Sequence, residues 1–144
     1  DGAYGYYENS TVYRDTYGML YNWYAVGNSS GICPQGWHVP TNTEFSDLVT
    51  ELGSNAAAKL KETGTVHWQS DPGTSNSSGF TALPAGYRIN SNGTYTNLRN
   101  YTYFWTSSTS GTNGSYRFLS YSSTSFATNS NHKTYGFSVR CLKD

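Results

Sequence analysis

From Asn100 to Tyr135 the chain reads NYTYFWTSSTSGTNGSYRFLSYSSTSFATNSNHKTY, with no Asp and no Glu. Bulky aromatics alternate there with small hydroxyl and amide side chains. Alternation of this kind belongs to β-strands, and it predicts two of them, Tyr101–Ser107 and Ser115–Ser122, with Gly/Asn/Ser-rich joints. The chemistry is that of a contact surface. Tyrosine supplies large, stiff area with a polar tip, while Ser, Asn and Gly supply adaptable hydrogen bonds. The plainer alternative is a polar β-rich surface with some tyrosines in a core. Tyr101, Tyr103 and Trp105 share one face of an alternating strand, and Phe104 takes the other. A buried Trp105 therefore draws Tyr101 and Tyr103 inward unless the strand bulges. Phe118, Ser120 and Ser122 alternate against Arg117, Leu119 and Tyr121. With Leu119 inward the first set faces out, and Phe118 becomes a candidate anchor.

A chain of 144 residues is one domain, 1–144, long enough to bury a core. Charged residues make up 12% and aromatics 17%. Disordered chains are charge-rich and aromatic-poor, so this one folds. Net charge is zero, but the signs are segregated. Asp1, Glu8, Asp15, Glu44, Asp47, Glu51, Glu62 and Asp71 fall in the first half. Residues 72–143 carry no acid and six bases: Arg88, Arg99, Arg117, Lys133, Arg140 and Lys143. Nucleic-acid binding needs denser basic clustering than this and is not expected. No run of 18 apolar residues exists to span a membrane. Cys33 and Cys141 read as one disulfide of an exported protein, with two buried thiols as the alternative.

Residues 1–16 read as a lead-in strand or wrapping loop. Tyr17–Val26 (YGMLYNWYAV) is aromatic and alternating, which predicts a strand. Thr41 or Thr43 caps the clearest helix, with Thr41 and Glu44 spaced as a capping box. Phe45, Leu48, Val49 and Leu52 form its apolar stripe, and Gly53 ends it. Asn55–Glu62 predicts a second short helix. Phe80–Arg88 is a strand broken by Pro84, a turn follows at Asn90–Gly93, and Tyr135–Leu142 is the last strand candidate. A strand, two helices and then a run of strands is an α+β order. If Cys33 meets Cys141, the last strand lies near the segment entering the first helix, and the chain ends come together.

In this order, YGMLYNWYAV, GICPQGWHVPT, TEFSDLVTELG, AAAKLKETGTVHW, NSSGFTALPAGYR, FWTSS and YGFSVRCLKD resemble the Fibrobacter succinogenes major paralogous domain across Tyr17 to Asp144. The resemblance implies a C-type-lectin-like fold related to formylglycine-generating-enzyme domains. Two helices would flank small, mostly antiparallel sheets, with the N- and C-terminal strands adjacent. It also implies an exported or surface protein of gut or rumen bacteria, often part of a lipoprotein or adhesin. Some members resemble variable proteins of diversity-generating retroelements, in which asparagine codons of a C-terminal block are mutated ahead of an invariant strand. The block 100–135 followed by GFSVRCLKD looks like such an arrangement, although its lack of Asp departs from free mutation of those codons. Tyr101, Thr102, Tyr103, Phe118, Ser120, Tyr121, Ser122, Asn131, His132, Thr134 and Tyr135 would be the varied positions. Trp105, Arg117, Leu119 and Phe137 would be scaffold. With Asn100 and Tyr116 added, the varied positions form the candidate ligand-binding set.

Acid–base catalysis needs positioned titratable groups, and the block offers one histidine, His132, and no carboxylate. No catalytic residue is assigned, and the chain is read as non-enzymatic. The Glu-Pro-Asn and Gln-Pro-Asp calcium triplets are absent, and an acid-free half cannot supply calcium's oxygen ligands. His38, His67 and His132 are scattered, and no zinc spacing appears. No metal or cofactor is expected. The expected function is an extracellular recognition or adhesion module, holding a protein, or less favoured a glycan, on the Tyr/Ser/Asn/Thr-rich face. The alternatives are a structural or spacer domain of a larger surface or fibre protein, a lectin-like glycan-binding module, and a divergent enzyme-like domain built on converging His38, Glu44 or Asp71.

Overall fold

A computed structural model describes residues 1–144. The chain is α+β, with mostly antiparallel pairing in three small sheets. It begins with β1 (Tyr4–Gly5), a 3-10 turn at Tyr7–Asn9, α1 (Thr11–Tyr17), β2 (Leu20–Tyr21) and α2 (Trp23–Val26). Then come β3 (Trp37–His38), α3 (Asn42–Leu52) and α4 (Ala56–Leu60). The C-terminal half holds β4 (Ala85–Arg88), β5 (Tyr95–Leu98), β6 (Tyr101–Ser110), β7 (Asn113–Ser120), β8 (Ala127–Asn131) and β9 (Leu142–Lys143). The main sheet has the order β5-β4-β6-β7-β8, and only β4 and β6 run parallel.

The helix expected after Pro40 forms as its sequence requires. Thr41 Oγ1 accepts the Glu44 N–H at 3.1 Å, and Glu44 Oε2 accepts the Thr41 N–H at 2.7 Å. Gly53, at φ 67°, ends α3 with its N–H on the Val49 carbonyl. Phe45 is buried and Leu48, Val49 and Leu52 pack around a core of Leu60, Trp68, Ala82, Phe104, Leu119 and Phe126. That core lies between the helices and one face of the main sheet. Two cations are sealed into this side without a carboxylate partner. Arg117, 7% exposed, donates Nε to Asn42 Oδ1 and Nη1 to the Phe126 carbonyl, tying β7 to α3 and to the segment entering β8. Lys61, 1% exposed, donates Nζ to the carbonyls of Ser120 and Ser123. Burial lowers the pKa of both, and carbonyl and amide oxygens stand in for counter-ions.

The second core lies on the opposite face: Val26, Val39, Trp105, Tyr116 and Phe137. Trp23 packs so closely on β7 that a Cβ on Gly114 would lie 2.3 Å from its ring, so only glycine fits there. Cys33 and Cys141 form a disulfide, Cα–Cα 5.8 Å, beside the β3–β9 pair. The disulfide points to an oxidising, extracellular setting. No helix is long and apolar enough to cross a membrane.

Several expectations are corrected. Residues 1–16 are not a plain lead-in but supply β1, the 3-10 turn and most of α1. Only Leu20–Tyr21 of the expected strand Tyr17–Val26 is extended. Asn22 then accepts the Ala25 N–H and caps a helical turn. The structure has four helices, not two. Tyr135–Leu142 is not a continuous strand, because its residues pair with different neighbours. Gly136 exchanges hydrogen bonds with Arg88 and Phe137 with Tyr21, while Ser138 bonds Tyr103 and Trp105. The last strand, β9, pairs with β3, while the first, β1, pairs with β2.

Candidate functional site

β6 and β7 are the centre of the sheet, and their register sets its surface. Tyr103 faces Phe118 and Trp105 faces Tyr116, so all four side chains share one side. The β6–β7 register shifts only after Trp105, too late to turn Tyr101 or Tyr103 away from the Trp105 side. Tyr101, Tyr103, Tyr116 and Phe118 therefore form a continuous aromatic layer. β4 adds Tyr87, with its ring 4.9 Å from Tyr103. The threading segment adds Tyr135, 5.9 Å from Tyr87. Phe137, 1% exposed, is the floor: its ring lies 4.3 Å from Trp105, 4.9 Å from Tyr116 and 5.0 Å from Tyr103. Tyr101 and Phe118 stack on either side of Tyr103, each at 5.9 Å.

The layer is wet at its outer edge. Tyr103 accepts a hydrogen bond from Asn97 Nδ2 at 3.3 Å. The hydroxyls of Tyr87, Tyr101, Tyr116 and Tyr135 bond nothing in the protein, yet none is among the buried unpaired polar atoms, so they meet solvent. Burial pushes the Tyr103 hydroxyl up to about 12, and the pKa values of Tyr87 and Tyr116 are raised by the same cause. The face is thus neutral at physiological pH and presents hydroxyls that both donate and accept. None of the cavities in the molecule is lined by Tyr101, Tyr103, Phe118 or Tyr135, so the face is flat rather than pocketed.

The structure gathers only part of the set expected from sequence. Tyr101, Tyr103, Phe118 and Tyr135 come together at half-buried positions. Tyr116 belongs to the layer but is 7% exposed, a supporting side chain with its hydroxyl at the edge. Thr102, 0% exposed, points to the helix side, and its Oγ1 has no partner. Ser120, 5% exposed, accepts the Ser123 N–H to shape the turn after β7. Neither can touch a ligand: parity buries Thr102, and Ser120 is folded under its own turn. Tyr121 packs against the helix-side core, and its neighbour Ser122 is exposed. Asn100 turns its Oδ1 inward, unpaired. Asn131, His132 and Thr134 form a separate rim. The Asn131 side chain accepts the His132 N–H, and the His132 ring meets Thr134 Oγ1 at 2.7 Å. Tyr87 and Asn97 were missed because they precede the aromatic block. The alternation in AGYR is the signal that places Tyr87 on a strand.

His38 does converge with carboxylates. Its Nε2 lies 2.9 Å from Glu44 and its Nδ1 2.6 Å from Asp144. The Asp144 and Glu44 hydrogen bonds raise its pKa. Glu44 is lowered, first by the Thr41 N–H it caps. The cluster clamps the β3–β9 ribbon to the α3 N-terminus. Asp71 lies apart, lowered to about 2 by the Thr74 N–H and hydroxyl and by Gly64 and Gly73. No group of three His, Cys, Asp or Glu side chains is arranged to hold a metal ion.

No curated protein and no solved structure matches the chain. The profile of the Fibrobacter succinogenes major domain matches residues 1–143, and so takes in the N-terminal segment as well as Tyr17 onward. The chain therefore belongs to the Fibrobacter succinogenes major domain family.

Proposed function

We propose that this domain is a non-enzymatic recognition module of a bacterial cell-surface protein, and that it holds its partner on the aromatic face. The observation that carries this is the convergence of Tyr87, Tyr101, Tyr103, Phe118 and Tyr135 from four separate segments on one side of the sheet. The hydroxyls of Tyr87, Tyr101 and Tyr135 lack protein partners there. Rigid aromatic side chains lose little entropy on binding, and water-exposed hydroxyls exchange their solvent bonds for a partner's. Flatness favours a protein partner over a small ligand, since small-molecule sites are concave. The patch carries no acid, and binding by packing and neutral hydrogen bonds needs no metal. Substitution at Tyr101, Tyr103, Phe118 and Tyr135 would change the contacts while Trp105 and Phe137 keep the floor, which suits a retroelement-diversified surface. The test is a screen of the intact domain against a bacterial and host surface-protein library and a glycan array. A saturable protein hit supports the reading. Glycan hits alone move the domain to the lectin class, and no hit on either favours a spacer.

A further inference from the structure

Arg88 ends β4 with its side chain on the opposite side of the strand from Tyr87. Its backbone is fixed by two 3.0 Å hydrogen bonds with Gly136. Its guanidinium is the exception among the five arginines. Arg14 bonds Asp15, Arg99 bonds the Val66 carbonyl, Arg117 bonds Asn42 and Arg140 bonds the Phe80 carbonyl. The half-buried Arg88 head bonds nothing in the protein and joins no salt bridge. It lies instead along a cavity of about 330 Å3 between the N-terminal segment and the β4–β5 hairpin, a volume in the range of small-ligand sites.

The cavity is built around that side chain. A Cβ on Gly93, at φ +72°, would lie 2.5 Å from Arg88 Nη2, and one on Gly136 would lie 2.9 Å from Arg88 Cβ. Two bare glycines thus form the slot that the arginine occupies. No carboxylate lines the cavity, and Arg88 is its one charged group. The neutral groups are of two kinds. Asn22 is spent on Ala3, Ala25 and Asp1, and the Thr134 hydroxyl on the His132 ring. The Tyr95 hydroxyl donates to Asn9 Oδ1 at 3.2 Å, which leaves the Tyr95 oxygen free to accept and the Asn9 amide free to donate. Tyr4, 72% exposed, adds an open aromatic ring at the lip.

We propose that this cavity binds an acidic sugar of the hexuronate type. A guanidinium takes a carboxylate in a two-pronged hydrogen bond. One cation balances one negative charge, which fits a carboxylate rather than a doubly charged phosphate ester. The Asn9 amide and Tyr95 oxygen suit adjacent ring hydroxyls, and an aromatic ring at the lip covers a sugar face. The site lies off the aromatic face and does not depend on what that face binds.

The experiment is an amide NMR titration of the whole domain at pH 7 with galacturonate, galactose and acetate. Galacturonate is expected to shift Gly5, Gly93 and Gly136 and to saturate. Galactose and acetate should each bind at least tenfold more weakly. Arg88→Gln removes no bond that holds the fold and should weaken galacturonate tenfold or more, with Arg88→Lys in between. Asn9→Gly, which suits the φ of 54° there, should weaken galacturonate and leave acetate unchanged. Undiminished binding to Arg88→Gln, galactose binding as tightly as galacturonate, or shifts that map elsewhere would overturn the site. Acetate binding as tightly as galacturonate would overturn the sugar assignment. If Arg88→Gln loses the native amide spectrum, Arg88→Lys and Asn9→Gly decide by the same criteria.

Discussion

Replacing Phe137 by alanine removes the ring on which the aromatic face rests. Phe137 is 1% exposed, and five aromatic rings surround it, from Trp105 at 4.3 Å to Tyr135 at 5.9 Å. Its backbone is held by Tyr21 on both sides, so the segment cannot easily shift to fill the gap. Phe→Ala in a core that cannot collapse costs about 3–5 kcal/mol. At roughly 3 °C per kcal/mol for a chain of this size, the melting temperature should fall by about 10–15 °C. Tyr101→Ala is the contrast, since Tyr101 touches the layer only at its rim, stacked on Tyr103. It should cost about 1 kcal/mol or less, as surface changes do. Urea unfolding followed by tryptophan fluorescence measures both, and the denaturant slope should match wild type in each. A Phe137→Ala loss below about 1 kcal/mol, or one equal to that of Tyr101→Ala, would refute the division into a buried floor and a free rim.

Other consequences can be checked on the same unfolding curves. Closing a loop with a sequence separation of 108 residues constrains the unfolded chain, so the double change Cys33→Ala, Cys141→Ala should cost up to about 4–5 kcal/mol. Thr41→Ala removes the hydroxyl that accepts the Glu44 N–H and donates to Glu44 Oε2, leaves the Thr41 N–H on Glu44, and should cost about 1 kcal/mol, whereas Thr43→Ala should cost little. His38 has its folded pKa raised above 6.5, first by Asp144 and then by Glu44. Its stabilising share is full below pH 6.5 and is lost as pH rises through the raised value. Wild type should therefore lose more stability between pH 6 and 9 than Asp144→Asn does. Equal slopes would sever the clamp from the fold.

Much of the scaffold could be read from residues. The α3 boundaries followed from Thr41, Glu44 and Gly53, and the disulfide from two distant cysteines. The parity of β6 correctly tied Tyr101 and Tyr103 to Trp105. What sequence hid was the second sheet neighbour. β5 and β8 are short polar edge strands, TNL- and TNS-like, with no hydrophobic face to announce them, as suits edges that must not recruit other chains. Thr102 and Ser120 look like surface residues because they are small and polar, yet parity and a turn bury them. Ser122 and Tyr121 fall just past the end of β7, where alternation no longer assigns a face. Tyr87 and Phe137 show the converse: one joins the layer from 14 residues before Tyr101, and the other supports it from a segment that reads as a regular strand but threads between three.

The most direct measurement is the affinity of a captured surface partner for wild type and for the double variant Tyr101→Ala, Phe118→Ala, taken at matched folding stability. The account predicts that the variant keeps a melting temperature within a few degrees of wild type and loses affinity at least a hundredfold, since central aromatic anchors each contribute about 2 kcal/mol or more. An unchanged affinity, with the fold intact, would contradict the claim that this aromatic layer is the binding face.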